Sequence, residues 1–153
     1  MEMLKAAFEE GMFRDPRLAG AAAAAIGDRN PELADFVMEK VLPSMGEAVY
    51  PILLDEYDPK GGVADGRRLS AMHRIRGEGM HYLVDEAALD GSAPVKIYAA
   101  HIMDKYPKYD EALQGMLGEN KAVREEVEKI LAKRKSVIEA GKGLFGKLFG
   151  GKN

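Results

Sequence analysis

A nine-residue pattern that returns at a fixed interval constrains this chain more than any other feature. Arg67 to Ile75, Val95 to Met103 and Val123 to Leu131 begin 28 residues apart. In that register Arg68, Lys96 and Arg124 form a basic column, Ala71, Ala99 and Val127 a small apolar column, and Ile75, Met103 and Leu131 a large apolar column. A weaker copy runs from Leu18 to Ile26, with Ala22 in the small column and Ala19 in place of the base. At roughly 100° per residue, the first, fifth and ninth positions fall within about 80° of one another and make one stripe along a helix. Each of the three copies follows a shorter amphipathic stretch: Glu47 to Tyr57, Gly79 to Leu89 and Tyr109 to Leu117. A helix pair of this length cannot bury both of its faces alone and must stack on its neighbours.

The punctuation between the copies is helical too. Met3, Leu4, Ala7, Phe8 and Met12 step by three and four, as in a helix that buries one side. Asp15-Pro16 and Asn30-Pro31 each place a capping side chain before a proline at the first helical position. The helix from Pro31 is expected to stop near Pro43, and Asp58 to Gly66, DPKGGVADG, to form a loop. Further helices are expected at about 65–76, 79–89, 92–105, 109–117 and 120–140. No stretch alternates with period two, so no strand is expected.

PVKIYAAHIM, after a short turn containing Asp90, resembles the second helix of a HEAT repeat, and EAVYPILL resembles the first helix of the same unit. The resemblance covers residues 46–134 and, more weakly, 3–27. It implies an all-α fold, a right-handed α-α superhelix of about eight to nine helices over residues 1–140, followed by a basic Gly/Phe-rich tail over 141–153. It also implies that Arg68, Lys96 and Arg124 form an inter-repeat ladder with turn acids, and that the concave face does the binding. Counted from the buried stripe, that face would carry Leu69, Ser70 and His73, then Ile97, Tyr98 and His101, and then Glu125, Glu126 and Lys129.

Composition closes several alternatives. Without cysteine there are no disulfides, thiolate zinc sites or cysteine nucleophiles. His73 and His101 are equivalent by repeat, but only His81 remains as a third imidazole, so neither a metal nor another cofactor is expected. Arg67, Arg74 and Arg76 are candidates for an anion contact. Gly141 to Gly146 spells GxGxxG and Gly146 to Lys152 begins a P-loop pattern, yet neither follows a strand, so both are chance matches. No serine or carboxylate pair forms a catalytic constellation. The N-terminus has no signal-peptide pattern, which makes the cytoplasm the expected location.

The formal charge of −3 conceals an asymmetry. From Lys133 to Asn153 six bases face the single acid Glu139, a balance of +5, and residues 1–132 are left with −8. A body of that sign is not expected to bind nucleic acid. In the tail, Leu144, Phe145, Leu148 and Phe149 would share one face of a helix, although the glycines among them weaken an isolated helix by about 1 kcal/mol each. The tail is thus open to three readings: it caps the solenoid, contacts a partner or membrane, or is disordered. The leading expectation is a non-catalytic interaction module that binds a protein or peptide on its concave face, with self-association possible. The alternatives are an enzyme-associated subunit, because some short HEAT-like proteins resemble phycobilin lyases, and peripheral membrane attachment through the tail.

Overall fold

The computed structural model describes residues 1–150. It is all helical, with no strand among the described residues. The helices are α1 (Glu2–Glu9), α2 (Ala19–Ala24), α3 (Pro31–Phe36), α4 (Leu42–Met45), α5 (Tyr50–Glu56), α6 (Val63–Arg76), α7 (His81–Asp90), α8 (Ala93–Met103), α9 (Asp110–Gly115) and α10 (Lys121–Phe149).

The repeated segments become α6, α8 and the start of α10. α6 lies against α8, and α8 against α10, while α5 and α7 pack on the helices that follow them. The stripe explains this order. Ala71, Val95, Ala99, Met103, Val123 and Val127 are fully buried. Small residues in the central column let the axes approach, and Gly66 lets the ring of Tyr98 reach the α6 backbone. A Cβ at Gly66 would lie 2.2 Å from Tyr98 Cδ2.

Side-chain caps start several helices where the sequence supplies them. Asp15 accepts from the Arg17 amide at 3.0 Å, and Asn30 from the Glu32 and Leu33 amides at 3.0 and 3.3 Å. Ser92 and Asn120 do the same for α8 and α10, at 3.4 and 3.1 Å. The Asp58–Gly66 breaker is an ordered turn built around Asp65, whose carboxylate accepts from the Asp58 and Gly62 amides and from Arg68. Ser92 Oγ donates to the Gly61 carbonyl at 2.6 Å and ties this turn to the start of α8.

The N-terminal third departs from expectation in two places. α1 buries no residue, and Met3 and Met12 stand exposed; only Phe8 makes an aromatic contact, edge-on to Phe36 at 5.7 Å. The helix from Pro31 does not stop near Pro43. A π-helical turn, Val37–Val41, joins α3 to α4 and carries the run to Met45. Pro43 is tolerated because it follows this wide turn, where Ser44 Oγ donates to the Val41 carbonyl at 2.6 Å.

Candidate interaction surface

The structure removes two residues from the expected concave face. Leu69 is fully buried and His73 is 7% exposed. The reason is the number of α6 neighbours: α8 on one side and α4, α5 and the π turn on others, so the face opposite the stripe is covered as well. Ser70, Ile97 and Tyr98 are half-buried, and Ile97 and Tyr98 pack on the core. Burial raises the Tyr98 phenol, an effect that nearby Arg67 opposes.

His73 belongs instead to an aromatic cluster. Its Nε2 shares a hydrogen bond of 2.8 Å with the Tyr106 hydroxyl, and its ring stacks on His81 with centroids 5.7 Å apart. Tyr106 and Tyr109 meet His81 at 4.5 and 5.4 Å, and the Tyr109 hydroxyl donates to Asp85 at 2.7 Å. Desolvation, assisted by Lys105, His81 and Arg74, pushes His73 down to about 4. His81 is lowered for the same first reason, and neither of its buried ring nitrogens has a partner. Sequence reasoning had counted His81 only as a spare metal ligand. Its place was visible in the register, because His81 and Tyr109 are themselves 28 residues apart in successive first helices. Among the described residues, no three His, Asp or Glu groups come together as a metal site.

The arginines do not form one anion cradle. Arg67 is held by Asp35 at 3.3 Å, and Arg76 is bidentate to Glu47 at 3.1 and 2.8 Å while stacking over the Tyr50 ring. Arg74 stays exposed. In the basic column, Lys96 reaches Glu119 in the turn before α10, at 2.9 Å. Arg68 folds back on Asp65, and Arg124 has its acid, Glu128, on its own helix. One rung of the expected ladder is therefore made between units, and two are closed locally.

His101 and Lys129 do come together on the surface. His101 Nε2 lies 2.8 Å and Lys129 Nζ 3.8 Å from Glu126, and the three border a shallow pocket with Asp104, Ile130 and Lys133. A larger groove, of about 420 Å³, runs between α7 and α9 past Ala88, Leu89, Tyr109 and Met116.

The most extended exposed apolar surface belongs to α10. This helix of 29 residues buries only Val123, Val127 and Ile130. Arg134 makes its last polar attachment to the body, donating to the Asp104 carboxylate and to Asp110 Oδ1 at 3.0 Å, and to the Asp104 carbonyl at 2.9 Å. Beyond it the helix runs on through Gly141, Gly143 and Gly146, where the sequence led to an expected break. None of these glycines takes a left-handed conformation, and a helix already nucleated needs only one new hydrogen bond per residue to extend. Val137, Ile138, Leu144, Phe145, Leu148 and Phe149 are each more than half exposed. Both glycine motifs thus begin inside a helix, and Gly151 to Asn153 lie outside the described residues. No described helix is long and apolar enough to cross a membrane.

No protein-family model, curated protein or solved structure matches this chain.

Proposed function

We propose that this chain is a non-catalytic helical-repeat interaction module, HEAT-like in the stacking of its helices, whose contact element is the distal half of α10. The observation that carries this reading is the row of six large apolar side chains, each more than half exposed, on a helix continuous with the repeat core. The concave face is the weaker candidate, because Leu69 and His73 are spent on the core and only His101 and Lys129 of the expected set are exposed.

A face kept for contact should be dispensable for folding, whereas a solenoid cap should not. A chain ended after Ala140 is expected to match the urea midpoint and melting temperature of the full chain, within about 2 °C. A loss of more than about 2 kcal/mol in equilibrium unfolding would make residues 141–149 a structural cap and sink the proposal.

A further inference from the structure

We infer that the partner of the distal half of α10 is an anionic lipid bilayer, on which this segment lies flat in the headgroup region with its apolar face inward. The inference rests on the interaction-module reading above and names its partner. It comes from the arrangement of charge around the exposed stripe. At about 100° per residue, Val137, Ile138, Gly141, Leu144, Phe145, Leu148 and Phe149 continue the sector that Val123, Val127 and Ile130 bury. Lys133 and Lys147 border it on one side, and Lys135 and Lys142 on the other. The opposite sector holds Ser136, Gly143 and Gly146 with the one acid, Glu139.

A bilayer surface uses each part of this arrangement. The Leu144-Phe145 and Leu148-Phe149 pairs broaden the apolar face to more than a quarter of the circumference, which suits a flat medium. Lysines at both borders can lay their stems along the acyl boundary and keep their ammonium groups among lipid phosphates. The far sector, nearly bare of side chains, has little to offer a protein groove that wraps the helix. A second copy is disfavoured by charge, because face-to-face pairing would bring the lysine borders together. The body, at −8, is repelled by an anionic surface, so it would stand away from the bilayer with α10 held at Arg134.

The test is flotation of the full chain with phosphatidylcholine vesicles, with and without phosphatidylserine, at low and high salt. Binding is expected on the anionic vesicles only and is expected to weaken with salt. Lys142→Gln and Lys147→Gln should each lower partitioning about five-fold, and Phe145→Ser with Phe149→Ser should abolish it with no change in melting temperature. Equal binding to both vesicle types would overturn the electrostatic part and with it the proposal. Absence of vesicle binding overturns the bilayer as partner in every case. If truncation after Ala140 then leaves stability intact, the interaction-module reading survives, with a protein partner, or with a second copy if lipid-free sedimentation shows dimers. If truncation destabilises the chain, both readings fall.

Discussion

The two halves of α10 carry the same stripe and meet different surroundings. From Lys121 to Arg134 the apolar positions Val123, Val127 and Ile130 lie under α8 and the turn Met116–Gly118 and are closed off from water. From Lys135 to Phe149 the stripe continues at the same angular position with larger residues, yet Phe149 is 73% exposed. Periodicity states which side of a helix is apolar. It does not state whether anything lies against that side.

Four measurements would break or sharpen this contrast, and the largest effect belongs to the proximal half. Val127→Asp places an unpaired charge against α8 and is expected to cost more than about 4 kcal/mol in urea unfolding. Acid comes next and should act on the body alone. His73 holds its proton less tightly when folded, at about 4, than at its ordinary 6.5, so as the pH falls the unfolded chain binds the proton first. Stability is therefore whole above pH 6.5 and is lost progressively toward pH 4, by on the order of 3 kcal/mol. His81, lowered in the same direction, adds to the loss. Unfolding midpoints measured across this range check the effect, and His73→Gln should flatten the slope. Arg134→Ala, at the junction of the halves, removes three hydrogen bonds from a side chain 30% exposed and should cost about 1–2 kcal/mol. Hydrogen exchange should then quicken around residues 133–138. Leu148→Asp in the distal half should change stability by less than about 0.5 kcal/mol, and a larger loss would show that this stripe is already covered.

What the sequence made legible follows the range of the forces involved. The caps at Asp15 and Asn30 act over two or three residues, and the columns at Ala71, Ala99 and Val127 depend only on helical period and repeat length. Leu69 and His73 were misplaced because their burial depends on how many helices surround α6, and α4 and the π turn come from far upstream. Arg67 and Arg76 looked free for an anion because their acids, Asp35 and Glu47, stand 32 and 29 residues away. Tyr106 joins His73 across 33 residues, with no local pattern to announce it. The extension of α10 past Gly141 was missed for the opposite reason: local propensity was weighed without the helix already formed before it.

The π turn at Val37–Val41 has a consequence for how the N-terminal third tolerates insertion and deletion. Ala34, Met38 and Leu42 are buried at four-residue steps, which on a plain α-helix would drift by about 40° each. The wider winding absorbs that drift and keeps all three pointed at the core. Removing the exposed Lys40 would let the turn close as ordinary α-helix and rotate everything after it by about 100°. Leu42 would then face away from the core, although the residue deleted touches nothing there. This stretch therefore measures length as well as composition.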